Sequence, residues 1–262
     1  MKERKKVKIL NINFDNLSMY EAIELISCDG GFVCTPNVDH LIKLQQDFEF
    51  YSIVSSADFV LCDSQIIVAI SKLLGTPLKE RVAGSDFFRE FYLFNKKNEN
   101  IRIFLLGGDS QKIVEKAKKN INKRAGREIV VGAYSPPYGF ETSDELCEKI
   151  VNSINTSGAT VLVVGVGAPK QEKWIWKYKD LLPNVNTFLP LGATINMEAG
   201  VLKKAPRFLS KMGLEWFFRF LQEPRRLFKR YFIDDMKFFG LIVQQMAGKY
   251  QDPFTKEGKE NV

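Results

Sequence analysis

Apolar residues in the first 200 positions follow two patterns that alternate along the chain. Short runs rich in branched residues predict strands at residues 7–12, 31–34, 58–62, 101–106, 129–134, 160–164 and 187–191. Apolar residues at helical spacing predict helices at residues 18–26, 41–48 and 66–74, and others that begin near residues 85, 109, 142 and 169. Such alternation predicts an α/β fold with a mostly parallel sheet and helices on both faces.

The pattern changes beyond Gly200, where no further strand–helix–strand unit is predicted. Residues 206–222 and 224–247 are expected to form two helices, with Pro224 tolerated as the first residue of the second. Residues 203–230 hold nine Lys or Arg and two Glu, so this segment alone accounts for the net charge of +7. We therefore predict an α/β domain (residues 1–200), a basic helical appendage (201–252) and a flexible tail (253–262).

The appendage has a polar and an aromatic side when it is drawn as a helix. The polar stripe is Lys211, Glu215, Arg219, Gln222, Arg226 and Lys229, and the aromatic side is Met212, Trp216, Phe217 and Phe220. A basic helix with such aromatics suits an anionic membrane surface. The alternative is an ordinary helix packed on the core. Nucleic acid is disfavoured, because the aromatics cluster instead of interleaving with the charges.

Composition limits the chemistry that this chain can perform. Four cysteines without C-x-x-C spacing and a single histidine provide no zinc set, and they favour a reduced cytosolic compartment. No run approaches the roughly 20 apolar residues of a spanning helix, and the basic N-terminus lacks the apolar core of a signal peptide. Sequences typical of nucleophile elbows, P-loops and metal-dependent enzymes are absent.

A carboxylate follows the third predicted strand, at residue 63. Ligands of open α/β sheets bind outside the carboxyl ends of the strands, so Asp63 is our candidate catalytic residue. Thr35 and Asn37 lie at the end of the neighbouring predicted strand. The alternative is that Asp63 only caps the helix that follows it. His40 is expected to be a packed or surface histidine.

Glycine turns follow two other strands. Gly107 and Gly108 present free N–H groups to an anion at a helix start, or they only allow a tight turn capped by Ser110. Gly165 and Gly167 begin like a dinucleotide fingerprint, but Lys170 stands at the third glycine position, which disfavours a nicotinamide site. Lys170 and the adjacent Gln171 suit phosphate or sugar hydroxyls, unless Lys170 is only a solvated surface charge.

Several longer motifs point to a known family. They are, in chain order, Thr35-Pro36-Asn37, the stretch around Asp63, and residues 80–86, 104–108, 164–172 and 213–216. Together they resemble the WecG/TagA/CpsF family of bacterial glycosyltransferases (glycosyltransferase family 26) over about residues 9–231. The resemblance implies a Rossmann-like α/β core and an appendage that docks on the membrane and completes the active site.

The resemblance also implies a reaction. It is an inverting, metal-independent and cofactor-free transfer of N-acetylmannosamine or a related hexose from a UDP-sugar to a polyprenyl-diphosphate-linked sugar, in wall teichoic acid or exopolysaccharide assembly. The protein is then expected to be cytoplasmic and peripheral on the inner face of the bacterial plasma membrane, with a second copy of the chain as a further candidate partner. The alternative is a non-catalytic membrane-docking module that binds nucleotide sugars.

Residue roles follow from the same comparison. Asp63 corresponds to the catalytic aspartate of the family. The substrate-binding residues are predicted to be Thr35, Asn37, Arg81 and Gln171, with Gly107, Gly108, Gly165, Gly167 and Lys170 of the glycine turns. Arg219, Arg226 and Lys229 are predicted to contact the acceptor diphosphate and the membrane. Many members read Asp-Gly-x-Gly at the aspartate, whereas this chain has Asp63-Ser64-Gln65-Ile66, which puts the donor specificity in doubt.

Overall fold

The computed structural model describes residues 4–203, 215–229, 231 and 234–255. Its strands are β1 (Lys6–Ile9), β2 (Ile12–Asp15), β3 (Gly31–Cys34), β4 (Phe59–Val60), β5 (Ile103–Gly107), β6 (Val130–Tyr134), β7 (Val161–Gly165) and β8 (Thr187–Pro190). Six of them form one parallel sheet in the order β4-β3-β8-β7-β5-β6. The predicted α/β class with a Rossmann-like parallel sheet is confirmed.

Helices cover both faces of this sheet. They are α1 (Met19–Asp29), α2 (Val38–Lys43), α3 (Phe48–Ser55), α4 (Gln65–Leu73), α5 (Gly84–Phe94), α6 (Gln111–Ala125), α7 (Asp144–Ser157), α8 (Lys170–Tyr178) and α9 (Thr194–Glu198). Alternate strand residues face opposite ways, so Val161 and Val163 pack with α1, α5, α6 and α9. Leu162 and Val164 pack with α2, α3, α4, α7 and α8.

The N-terminal segment differs from its prediction. Residues 7–12 were expected to form one strand, but β1 and β2 pair as an antiparallel hairpin with Ile9 opposite Ile12. The apolar alternation runs through the turn, where Leu10 adopts a positive φ of 53°. The hairpin closes the edge of the sheet, because the Val60 N–H of β4 donates to Asp15 Oδ2 at 2.8 Å.

In the ranges that the structure describes, three further helices follow α9. They are α10 (Glu215–Gln222), α11 (Pro224–Lys229) and α12 (Met236–Met246). The predicted helix at 206–222 is confirmed for its described part, and residues 204–214 lie outside the described chain. The range 224–247 was expected to be one helix, but it contains both α11 and α12. No helix in the described ranges is long and apolar enough to cross a membrane.

α12 is attached to the α/β core. Phe238 and Ile242 are buried in the same cluster as α2 and α8, and the Leu10 N–H donates to Gln245 Oε1 at 2.9 Å. Near the start of the appendage, the Gln222 amide forms two hydrogen bonds with the backbone of Lys203. The proposed boundary at residue 200 stays a prediction, as does the flexible tail, of which residues 256–262 lie outside the described chain.

Candidate active site

Asp63 lies between β4 and α4, at the carboxyl edge of the sheet. Its N–H donates to the Pro36 carbonyl at 3.1 Å, which ties together the segments that follow β3 and β4. Ser64 caps α4, because its Oγ accepts from the Ile67 N–H at 3.3 Å. The alternative that Asp63 only caps the following helix is therefore wrong.

The Asp63 carboxylate is instead placed at the start of another helix. Its Oδ2 accepts from the N–H of Gly84, the first residue of α5, at 3.1 Å. Arg81 Nε lies 3.8 Å from Oδ1, so a positive helix end and a guanidinium both face this carboxylate. The Asp63 side chain is 31 % exposed and accessible to a ligand.

Thr35 and Asp63 meet at Gly84. A Cβ added to Gly84 would lie 3.0 Å from Leu191 Cδ2, 3.2 Å from Thr35 Oγ1 and 3.8 Å from Asp63 Oδ2. A side chain at position 84 would therefore crowd both polar groups. The segments after β3, β4 and β8 converge at this point, as expected for the carboxyl edge of a parallel sheet.

The start of α5 corrects one prediction. Ser85 or Asp86 was expected to cap this helix, but the N-cap is Ala83 and no side chain caps it. Asp86 instead lies near Arg81, with 3.9 Å between Nη2 and Oδ2. Arg81 is only 12 % exposed and lies between the carboxylates of Asp63 and Asp86.

Asn37 and His40 form the start of α2. The Asn37 side chain accepts from the His40 N–H at 3.2 Å, and His40 Nδ1 accepts from the Asn37 N–H at 3.3 Å. The His40 ring packs edge-on against Phe50, with 6.0 Å between ring centroids. The expectation of a packed histidine is therefore confirmed.

Gln171 is buried beneath the same edge. Its Oε1 accepts from the Gly167 and Gly192 N–H groups at 3.3 and 3.0 Å, and its Nε2 donates to Glu172 Oε1 at 2.9 Å. One carboxamide thus joins the turns that follow β7 and β8. The predicted contact of Gln171 with substrate stays a prediction, and its hydrogen bonds show that it organises these turns.

Glu172 is a buried carboxyl that sequence reasoning did not single out. Burial raises its pKa to about 7, against the opposing effects of the hydrogen bond from Gln171 and the charge of Lys43. The motif at 164–172 contains Glu172, but an acidic residue in the first turn of a helix is ordinarily a solvated charge at the positive helix end. Its burial depends on how β3, α2 and α8 pack.

The remaining predicted residues of the glycine turns lie at the ends of β5 and β7. A Cβ on Gly107 would lie 2.5 Å from the Gly165 carbonyl oxygen, so close strand approach is sufficient to require this glycine. Gly108 is followed by α6, where Ser110 is the N-cap without a side-chain hydrogen bond. Lys170 Nζ pairs with Glu141 at 2.7 Å, so it is not merely a solvated charge.

The sequence matches a known protein family over most of its length. Residues 7–252 match the model of the Glycosyl transferase WecG/TagA/CpsF family. The chain belongs to this family. It is therefore a glycosyltransferase, and its family membership covers the parallel sheet, the Asp63 edge and the helices α10 to α12.

Curated relatives are similar to this chain over most of their length. A protein of Bacillus spizizenii is 32 % identical over 80 % of this chain and 78 % of its own. Proteins of Bacillus subtilis and Staphylococcus aureus strain MW2 are 29 % and 25 % identical, over 75 % and 85 % of this chain and 73 % and 87 % of theirs. All three are named N-acetylglucosaminyldiphosphoundecaprenol N-acetyl-beta-D-mannosaminyltransferase.

The predicted cationic residues of the appendage are placed only in part. Arg219 lies in α10 and Arg226 in α11, and their side chains fall outside the described part of the chain. Lys229 is exposed at the end of α11. Among the described side chains, no group of three His, Cys, Asp or Glu residues is arranged to hold a metal ion.

Proposed function

We propose that this glycosyltransferase moves N-acetylmannosamine or a related hexose from a UDP-sugar to a polyprenyl-diphosphate-linked sugar during wall teichoic acid or exopolysaccharide assembly. The names of three relatives support the acceptor and the transferred sugar. The observation that carries the proposal is the accessible Asp63 carboxylate beside Thr35 and Gly84. It is the arrangement that deprotonation of a sugar hydroxyl requires.

The proposed reaction is a single displacement. The acceptor hydroxyl gives its proton to Asp63 while its oxygen attacks the anomeric carbon, and the bond to the UDP oxygen breaks on the opposite face. The configuration is therefore inverted. Thr35, Asn37 and Arg81 orient the sugar and Asp63, because they lie on the segments that meet at this edge.

Charge on the two diphosphates is balanced by the protein in this proposal. The glycine turns at Gly107, Gly108, Gly165 and Gly167 bring the positive starts of α6 and α8 to the departing UDP, and these helix ends stabilise it together with Lys170. Arg219, Arg226 and Lys229 hold the diphosphate of the lipid acceptor, for which a guanidinium fork is well shaped. The reaction then needs neither a metal ion nor a cofactor.

Donor choice is expected to depend on Ser64 and Gln65. Ser64 Oγ is engaged in the cap of α4, and Gln65 is the first residue of that helix. Ser64 and Ile66 stand at the two glycine positions of the Asp-Gly-x-Gly motif and are larger than glycine, so less space is expected beside Asp63. This difference supports a hexose related to N-acetylmannosamine as an alternative donor sugar.

A substrate screen tests the proposal. UDP-sugars are paired with polyprenyl-diphosphate-linked sugars, with and without EDTA, and products are identified by mass spectrometry. We expect UDP release that requires the lipid-linked acceptor, an inverted product and equal rates with EDTA. A non-catalytic binding module would bind a UDP-sugar without turnover. Rates that collapse in EDTA and recover with added metal would contradict the metal-independent route.

We also propose that the protein is peripheral on the inner face of the bacterial membrane. Phe238 and Ile242 of α12 are buried, but the other side of the helix carries an exposed apolar stripe. The stripe consists of Met236, Phe239, Val243 and Met246, with exposed fractions between 42 and 65 %. Exposed Lys237 and Lys249 flank it, as expected at an anionic lipid surface.

Val243→Asp tests this contact. The substitution removes apolar area from the stripe and adds a charge that anionic lipid repels, so we expect roughly tenfold weaker binding to phosphatidylglycerol vesicles in a flotation assay. Gln244→Asp is the matched control, because it adds the same charge to an exposed position beside the stripe. Equal losses in the two variants, or none, would contradict the assignment. Self-association of the chain stays a prediction.

A further inference from the structure

The Glu172 carboxyl is buried in an unusual way. Its side chain is 3 % exposed, and while Oε1 accepts from Gln171, Oε2 has no hydrogen-bond partner among the described residues. A buried, partly unsatisfied carboxyl is costly, so retaining one at the carboxyl edge of the sheet needs an explanation. Apolar packing does not explain a buried carboxyl, and among the described residues no cation pairs with Glu172 at hydrogen-bonding distance.

The hydrogen bonds around Gln171 give that explanation. Its carboxamide oxygen accepts from two N–H groups, and its NH2 group donates to Glu172. In the reversed orientation, the NH2 group would face two donors and the oxygen would face the carboxyl oxygens. Glu172 supplies the acceptor for the NH2 group, so that all of the hydrogen bonds of this carboxamide favour one orientation.

The two turns that Gln171 joins are built on glycines. Gly167 and Gly192 have φ values of +89° and +49°, a region that favours glycine. The turns approach closely, because a Cβ on Gly165 would lie 2.6 Å from the Gly192 carbonyl oxygen. One side chain thus fixes two glycine turns on adjacent strands.

These turns lead directly to the catalytic candidate. Leu191 precedes Gly192 and lies against Gly84. The Gly84 N–H in turn donates to Asp63. A continuous series of contacts therefore runs from Glu172 through Gln171, Gly192 and Leu191 to the Asp63 carboxylate.

We propose that Glu172 is a positioning residue, which fixes the Gln171 carboxamide and thereby the turns after β7 and β8 that form the floor of the donor site. This inference rests on the proposed function, since it assigns the donor to the edge that contains Asp63. Glu172 touches no substrate in this role. It acts by keeping the Gly167 and Gly192 turns in one arrangement.

Protonation is expected to weaken this arrangement. The charged or titratable groups that influence or face Glu172 are Lys43 of α2 and the buried Cys34 thiol of β3, and Lys43 is itself paired with Asp39. Below about pH 7, where the carboxyl of the folded protein gains a proton, Glu172 becomes a neutral and weaker acceptor for the Gln171 NH2 group. Activity should therefore decline on the acid side of this pH.

Two substitutions test the role. Glu172→Leu removes the acceptor, and we expect kcat/KM for the UDP-sugar to fall about 100-fold, as for other small displacements of a reacting group. Glu172→Gln retains an acceptor oxygen without titrating, and it should recover most of that loss and remove the decline below pH 7. Circular dichroism confirms folding. The proposal is overturned if Glu172→Leu folds and has wild-type kinetics. It is also overturned if the activity of Glu172→Gln declines below pH 7 as that of the wild type does.

Hydrogen exchange provides a readout that needs no substrate. Peptides containing Gly167 and Gly192 should exchange faster in Glu172→Leu than in the wild type, with Glu172→Gln close to the wild type. Unchanged exchange in Glu172→Leu overturns the positioning role. If the wild type transfers no sugar but the exchange pattern is as expected, then the proposed function fails and the positioning role of Glu172 holds.

Discussion

Asp63→Asn is expected to lower kcat by about 100- to 10,000-fold, the usual contribution of a general base. The amide keeps the shape of the side chain and the acceptor oxygen for the Gly84 N–H, but it takes no proton from the acceptor hydroxyl. Binding of UDP-sugar should persist, because the proposed diphosphate contacts lie on other turns. Single-turnover kinetics and calorimetric titration with the donor separate the two effects.

Asp86→Asn is the matched control for this experiment. Asp86 is a second carboxylate near Arg81 among the described residues, at 3.9 Å, and it lies in the first turn of α5. The same change of a carboxylate to an amide should leave most of the turnover. Undiminished turnover in Asp63→Asn, or equal losses in both variants, would refute Asp63 as the base.

Glu172→Gln is expected to stabilise the protein at alkaline pH. The pKa of Glu172 rises from 4.5 to about 7 on folding, because burial disfavours the charged form. The folded protein therefore binds more protons than the unfolded chain between these values, and its stability falls as the pH rises through this window. The shift corresponds to about 3 kcal/mol of unfolding free energy, and that stability is fully present below pH 4.5.

Urea unfolding at pH 5 and pH 8 measures this effect. The glutamine does not titrate, so the gain in unfolding free energy over the wild type should be small at pH 5 and approach about 3 kcal/mol at pH 8. Glu148→Gln, an exposed position on α7, is the control and should give nearly the same small change at both pH values. An equal gain for Glu172→Gln at both pH values would contradict a buried carboxyl that titrates near pH 7.

The sheet and its order of elements were predictable because the buried strands of a parallel sheet are distinct in sequence. Residues 160–164, for example, are apolar on both faces and lie between helical patterns. The hairpin was not predictable by the same reasoning. Ile9 and Ile12 continue one alternating pattern, and the reversal at Leu10 depends on a positive φ that leucine rarely adopts.

The candidate site was predictable as far as its position at the strand ends. Asp63 and Thr35 follow neighbouring strands, and they meet at the carboxyl edge of the sheet, where open α/β sheets bind their ligands. The hydrogen bond from Gly84 to Asp63 was not predictable, because local sequence favoured Ser85 or Asp86 as the cap of α5. The burial of Glu172 depends on tertiary packing, so the spacing of apolar residues within α8 does not predict it.

The hairpin has a mechanical consequence for a protein with the proposed lipid-linked acceptor. Its Leu10 N–H binds Gln245 of α12, and its Asp15 carboxylate binds Val60 of the strand that precedes Asp63. The helix with the apolar stripe and the strand that leads to the proposed catalytic carboxylate are thus attached to the same two-stranded element. With α12 on a bilayer surface, the hairpin sets the height of Asp63 above the lipid headgroups.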